Sequence, residues 1–285
     1  MLRFVRKQMR NIISPFARTA RGVELWRGPS AFDGKDIVVI ATFISDNIKT
    51  GDMIQTWVFR TDRTPVDTWI GGGEPSICGS CPMQHKSSGG SSLCYVNRIP
   101  LNQIYNAWKR GLYPKFNPKL HLRYFAGRPI RLGAYGDVAM APIKVFLPIL
   151  KVTSGHTGYT HQYKTYFGQD WKQYLMASTE SLATYRAAKK LGWRSFRIRA
   201  TGEPTLPGER VCPASEEGGY RVQCLSCMAC HGAKSKGRAD ISVLVHGRNG
   251  TPVSFTRLSV AGKFLPFQMN SPASRPINSI RRLYA

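Results

Sequence analysis

Between residues 129 and 199, short apolar runs alternate with amphipathic ones, and a chain written this way has few folds open to it. Residues 129–135 read as a strand ending in Gly136-Asp137. Residues 141–150 read as a helix with Pro148 inside it, 158–162 and 174–178 as strands, 182–191 as a helix closed by Gly192, and 195–199 as the next strand. Strand–helix–strand units this short imply parallel pairing through right-handed crossovers. Upstream, 36–44 and 54–60 read as strands, and 100–111 as a helix carrying Ile104, Trp108 and the later Leu112 on one face. Downstream, 240–246 reads as the last strand. The expected fold class is α/β: a parallel sheet forming a partial or full β/α barrel, with a C-terminal cysteine-rich metal-binding subdomain. Sites in such folds lie at the carboxyl ends of the strands, which singles out Asp137, His161, Glu180 and Arg199.

Composition shifts divide the chain further. Residues 1–22 form a basic amphipathic arm: Arg3, Arg6, Lys7, Arg10, Arg18 and Arg21 lie opposite Leu2, Val5, Met9, Ile12 and Phe16. A transit peptide, a basic arm on nucleic acid and a surface-lying helix all fit that pattern. Residues 23–200 make the barrel-like core, 201–269 the cysteine-rich subdomain with the last strand, and 270–285 a loose basic tail. No run reaches the roughly 18 apolar residues of a membrane span, and the N-terminus lacks the apolar region of a secretory signal. Cytoplasmic placement follows as the expectation.

The seven cysteines fall in two knots. An odd number without an export signal argues against a disulfide framework, and clustering argues for metal ligation. The first knot is Cys78-Gly-Ser-Cys81-Pro with Cys94-Tyr95. Three thiolates leave a fourth position open on zinc or on a [4Fe–4S] cluster, and an open position is where chemistry happens. His85 or His161 could instead close a zinc site. The second knot is Cys212, then Cys224-x2-Cys227-x2-Cys230-His231. Four cysteines fill four positions, so this site reads as closed and structural, with iron–sulfur and zinc both open.

Lys plus Arg number 41 against 16 Asp plus Glu, a net charge of +25, which points to a polyanionic partner, nucleic acid first and an anionic membrane second. Arg194, Arg197 and Arg199 alternate with Phe196 and Ile198, so one strand face would be core and the other available to phosphate. Lys164 with Tyr163 and Tyr166 interleaves charge and aromatics as single-strand binders do.

Lys49-Thr50-Gly51, Cys78-x-x-Cys81-Pro, Cys94-Tyr95, Arg131 to Asp137, Thr157-Gly-Tyr-Thr-His161 and the terminal CxxCxxC together resemble a group of cysteine-rich proteins of phages and mobile elements. The likeness spans residues 27 to 246 and implies a setting in the host cytoplasm beside nucleic acid. The order of elements also resembles the radical-SAM partial barrel. That resemblance implies a cluster on the cysteines after the first strands, with S-adenosylmethionine on its open iron and Gly136-Asp137 at the end of the next strand. Two features depart from it. The cysteine spacing is C-x2-C-x12-C rather than C-x3-C-x2-C. Gly72-Gly73-Glu74-Pro75 precedes the cysteines rather than following them, and Gly202-Glu203-Pro204 comes far later, so neither takes that family's role.

Asp137 can act as base, nucleophile or ligand contact, or can simply cap the following helix. Tyr135 beside it and His161 complete a candidate catalytic set, with Gly136 and Glu180 as candidate cofactor contacts; Ser178-Thr179-Glu180 also reads as a helix cap. The leading expectation is an iron–sulfur, radical-SAM-like enzyme acting on nucleic acid, modifying a base. The alternatives are a zinc-stabilised DNA- or RNA-binding module without catalysis, and a zinc-containing base-exchange enzyme resembling tRNA-guanine transglycosylases with Asp137 as nucleophile. A rolling-circle nicking enzyme lacks its histidine pair here, and no Walker-type loop appears.

Overall fold

The structure, a computed structural model, describes residues 21–85, 94, 96, 98–233 and 239–245. Nine strands among them build one mixed sheet: β1 (Gly22–Pro29), β2 (Asp36–Thr42), β3 (Ile54–Arg60), β4 (Pro129–Tyr135), β5 (Gly155–Thr160), β6 (Met176–Thr179), β7 (Ser195–Arg199), β8 (Glu209–Val211) and β9 (Asp240–Leu244). The spatial order is β1-β2-β3-β4-β5-β6-β7-β9-β8. The first three strands pair antiparallel, and every pairing from β3 onward is parallel. β1 and β8 stand at opposite ends of that order and do not pair, so the sheet is open and not a full barrel. β2 carries Ile37 to Ala41 fully buried, the unbroken apolar run of a strand covered on both faces.

The expected strands and helices are largely present, with shifts that have local causes. The helix Ile99–Lys109 buries Leu101, Tyr105 and Trp108, but Leu112 is exposed, because the helix ends first and Gly111 turns the chain with φ at +76°. Residues 141–150 are not one helix. A 3-10 turn at Ile143–Val145 is followed by a helix at Leu147–Val152, and Pro148 opens that helix, where a missing N–H is harmless. β5 ends at Thr160, so His161 lies just beyond it. β6 starts at Met176, because Tyr174 and Leu175 donate back to the Trp171 carbonyl. The helix Leu182–Lys190 is capped by Ser181 in a reciprocal box with Thr184, not by Ser178 or Thr179, which are buried in β6. Gly192, at φ +74°, follows its end as expected.

β8 lies in the segment 201–269, where only one strand, the last, was expected. It and β9 extend the same sheet, and Cys212 and Cys230 pack in one apolar cluster with Met176, Phe196, Ile241 and Val243. The second cysteine knot is therefore seated on the sheet. Most of the basic arm, His246, the end of the cysteine-rich segment and the tail lie outside the described residues. Gly22, read as the arm's end, already pairs in β1.

The arginine face of β7 is internal. Arg197 is fully buried, with Nε and Nη2 each 2.7 Å from the Glu209 carboxylate and Nη1 bonded to Glu203. Arg199, 3% exposed, meets the Glu217 carboxylate at 2.5 Å. Arg194 donates to the carbonyls of Ala229, His231 and Ala239. Acids at 203, 209 and 217 neutralise Arg197 and Arg199, which the alternation alone presented as phosphate-facing, and these two arginines brace the 203–217 segment against the sheet. Among the described residues no helix is long and apolar enough to cross a membrane.

Candidate active site

One face of the sheet carries a cavity of about 360 Å³. Its wall takes residues from five strands: Arg131 and Gly133–Tyr135 from β4, where Gly133 (φ +74°) interrupts the pleat, Tyr159 from β5, Ser178 from β6, Phe196 and Ile198 from β7, and Val243 and Leu244 from β9. Cys78, Cys81 and Cys94 line one part of it, together with Asp137 and His161.

The first knot is fixed by buried polar contacts. Pro75 starts a single helical turn, Pro75–Cys78, and Gly79 (φ +56°) ends it. A Cβ on Gly79 would fall 2.4 Å from the Gln162 carboxamide. Gln162, fully buried, donates to the Cys78 carbonyl at 3.1 Å, and Gln84 donates to the carbonyls of Gly79 and Cys81. Glu74, 3% exposed, pairs with Arg98 at 3.3 Å and accepts the His85 N–H at 2.8 Å. Burial pushes the Cys78 and Cys81 thiols well up, and neighbouring thiolates push further; burial raises Cys94 too, against the pull of Arg98. The three thiols thus sense one another in a low-dielectric pocket.

Asp137 follows β4 and is 7% exposed. Its Oδ1 accepts Ala139 N–H at 3.0 Å, capping the turn Val138–Met140. Its Oδ2 accepts from Thr160 Oγ1 at 2.8 Å and His161 N–H at 3.1 Å. Burial lifts it to about 6 against these donors. Both oxygens are engaged by the protein, which ties β4 to β5. Gly136 approaches Val58 and Ile77 closely: a Cβ there would lie 2.7 Å from Val58 Cβ and 3.0 Å from the Ile77 carbonyl, at φ +73°. Gly136→Ala is expected to cost more than about 2 kcal/mol, read by chemical denaturation. A cost under about 0.5 kcal/mol would show the approach to be loose.

Three polar atoms at this end have no hydrogen-bond partner among the described residues: Tyr135 Oη, His161 Nε2 and Glu180 Oε2. The last two stand 3.8 Å apart. Burial lowers His161 to about 4 and raises Glu180 to about 7, so near neutrality the pair is an uncharged imidazole beside a carboxyl that gains and loses its proton. Tyr135 is raised well above its usual value by burial, then by Cys78 and Glu74.

The pH consequence has opposite signs for the two groups. Glu180 binds its proton more tightly when folded, so its contribution is full below 4.5 and is lost as pH rises through about 7. His161 contributes above 6.5, and that contribution is lost as pH falls through about 4. Glu180→Gln is therefore expected to stabilise the protein at pH 8 by on the order of 1–3 kcal/mol and to change little at pH 4. Thermal melts at both values read it, and a lower melting temperature at pH 8 would contradict it.

The second knot meets the cavity from another side. Cys224 lines the cavity and also, with Cys212, Cys227 and Cys230, a small void of about 10 Å³, room for roughly one water-sized particle. Cys224 and Leu225 donate to the carbonyls of Lys49 and Thr50, which docks the turn Cys224–Cys227 on the β2–β3 connection. Burial pushes Cys230 up to about 12. As the side chains stand, no group of three or more His, Cys, Asp or Glu among the described residues is arranged to hold an ion, and all seven cysteines are free thiols.

Sequence spacing did not show where the histidines and aromatics would go. His85 packs edge-on against Trp69, with ring centroids 5.0 Å apart, while His161 lines the cavity. Lys164 is exposed and Tyr166 is 85% exposed, but Tyr163 is buried under the Lys164 ammonium, so only Tyr166 is placed to stack on a partner. Gln162, Glu74 with Arg98, Lys49, Arg131 and the Tyr159–Phe196 pair were missed as site residues. Lys49, Glu74, Arg131 and Tyr159 stood in strings singled out in the sequence but without a role, and Gln162 follows His161 at a strand end. No family model, curated protein or solved structure matches this chain.

Proposed function

We propose that this chain is an iron–sulfur enzyme of the radical-SAM type that acts on nucleic acid, at a base. One observation carries the reading. Cys78, Cys81 and Cys94 share one cavity wall with Asp137, His161 and Tyr135, which follow or end strands of the parallel part of the sheet, and the polar tips of Tyr135 and His161 lack partners among the described residues. A cavity lined by three soft donors, with polar atoms left without partners beside it, is suited to a bound group.

The donor types suit the cofactor, although the side chains of the described residues, as they stand, are not gathered around an ion. Thiolates select zinc or iron–sulfur clusters, and a bound cation would reverse the burial effect that now holds these thiols protonated. A [4Fe–4S] cluster held by Cys78, Cys81 and Cys94 would supply one-electron chemistry to S-adenosylmethionine. Residues of the chain do the rest. Tyr135 Oη and His161 Nε2 orient the ligand, Asp137 holds the His161 backbone in place, and Glu180 takes or returns a proton beside the imidazole. For the second knot, a one-particle void among four thiols favours a single structural zinc over a cluster. The net charge of +25 and the exposed Lys164 and Tyr166 beyond β5 favour a nucleic-acid partner. The same partner, and the likeness to phage proteins, favour the host cytoplasm as the place of action.

The test is metal and acid-labile sulfide content with a visible spectrum on protein purified without oxygen, followed by S-adenosylmethionine cleavage after reduction. About four iron and four sulfide per chain, broad absorbance near roughly 400 nm and cleavage support the proposal. Colourless protein holding only zinc would overturn it in favour of the binding module.

A further inference from the structure

The outer edge of β1 carries a strip of exposed cations set apart from the cavity. The connection after the helix Ile99–Lys109 lies along that edge. Glu24 N–H donates to the Pro114 carbonyl at 2.9 Å, Phe116 N–H donates to the Glu24 carbonyl at 2.8 Å, and Lys115 bridges Glu24 in parallel. Lys109, Arg110, Lys115 and Lys119 are all exposed along this course, and among the described residues none of the four is in an ion pair. The sequence explains why. No Asp or Glu occurs between Glu74 and Asp137. Glu24, the carboxylate beside the strip, is buried and already held by Arg27 at 2.7 Å and by Trp108 Nε1 at 2.5 Å. The four cations stand on three pieces of backbone: the end of the helix Ile99–Lys109, the extended stretch against β1, and the helical turn Pro118–His121. β2 and β3 separate this edge from β4, about 14 Å over three strand spacings. No residue from 99 to 128 lines the cavity.

We infer that this edge is a docking surface for the sugar–phosphate backbone of a polynucleotide, separate from the cavity. Exposed cations with no acid among them attract a polyanion. Their spread over three pieces of backbone suits a repeating anion, because a single phosphate meets one or two of them and a strand meets them in series. Contacts of this kind position a strand and read no sequence. A bilayer would instead need an apolar edge that enters it. Trp108 and Tyr113 are buried here, and the exposed Leu112 and Leu120 stand singly among the cations. The inference adds a second contact to the partner proposed above. It rests on that reading only for the partner being a nucleic acid, and not for iron or S-adenosylmethionine.

The test is fluorescence anisotropy of the full chain with a labelled single-stranded oligonucleotide and with its duplex, across a salt series. The double variant Lys115→Gln, Lys119→Gln is expected to weaken binding about tenfold or more at low salt and to reduce the slope of log affinity against log salt by roughly 1.5. Arg186→Gln with Lys190→Gln removes the same charge from the exposed side of the helix Leu182–Lys190, which packs on β6 and β7 far from this edge. That pair is expected to change affinity by less than about twofold. All four side chains are exposed, and thermal melts check that both double variants fold. Equal loss in the two double variants, a slope unmoved by the first, or binding of neither oligonucleotide would overturn the inference. Loss of binding to phosphatidylserine vesicles, with oligonucleotide binding intact, would overturn it in favour of a membrane. Iron, sulfide and S-adenosylmethionine cleavage are read on the same preparation. Iron-free protein that still shows the change in slope would keep this inference and lose the function proposed above. Iron-containing, active protein whose binding ignores the Lys115 and Lys119 substitutions would sink this inference alone.

Discussion

If the first knot holds the proposed cluster, Cys81→Ser is expected to abolish iron binding and turnover while leaving the melting temperature nearly unchanged, and Cys227→Ser is expected to do the reverse. The difference follows from where each knot sits. Cys81 lies half-buried in a loop that other contacts already hold: Gln84 and Gln162 bind its flanking carbonyls, and Glu74 with Arg98 anchors the segment. Losing one thiolate there removes a ligand and leaves those bonds intact. Cys227 belongs to the segment that packs Cys212 and Cys230 among Met176, Phe196, Ile241 and Val243 and docks on Lys49 and Thr50. The structural ion proposed for that place would contribute its binding free energy to folding, so losing a ligand should cost several kcal/mol, on the order of 5. Iron analysis, visible absorbance and thermal melts on both variants decide the matter. Equal loss of iron from both, or a large fall in melting temperature at Cys81 alone, would mean the knots do not divide the work this way.

The parallel core was legible because its strands are short apolar runs with glycine or polar punctuation. β3, β4 and β7 fall where the pattern places them. The carboxyl-end rule named four residues: Asp137 and His161 line the cavity, Glu180 stands 3.8 Å from His161, and Arg199 turns instead to Glu217. Three things were not legible, each for a physical reason. A proline reads as an interruption until its helix is known to begin there, as at Pro148. A three-residue strand such as β8 has too few residues to show a period. Convergence of distant residues leaves no local mark: nothing in the spacing of Cys224, Lys49 and Arg131 announces that they meet on one wall, because a β2–β3 turn, a strand and a late helical turn bring them together.

The arginines of β7 show the same limit most sharply, and they yield a second large expected effect on stability. Alternation of Arg197 and Arg199 with Phe196 and Ile198 is the same pattern whether the cations face water or face acids from later in the chain. Here they face acids. The Arg197 and Glu209 side chains are both fully buried, joined by two bonds of 2.7 Å, with Glu203 on the remaining nitrogen. Arg197→Met keeps most of the volume but strands the Glu209 carboxylate without its partner. Breaking one side of a buried pair costs about 3–5 kcal/mol, which for a chain of this size lowers the melting temperature by roughly 10 °C. The double variant Arg197→Met, Glu209→Met removes both charges together and is expected to recover much of that loss, because an apolar pair carries no desolvation cost. Nucleic-acid affinity, measured on the folded Arg197→Met variant, should not move, since the guanidinium is not on the surface. A variant that keeps its melting temperature but weakens polyanion binding would put Arg197 at the phosphate-facing surface after all, and would return the strand to the role its sequence first suggested.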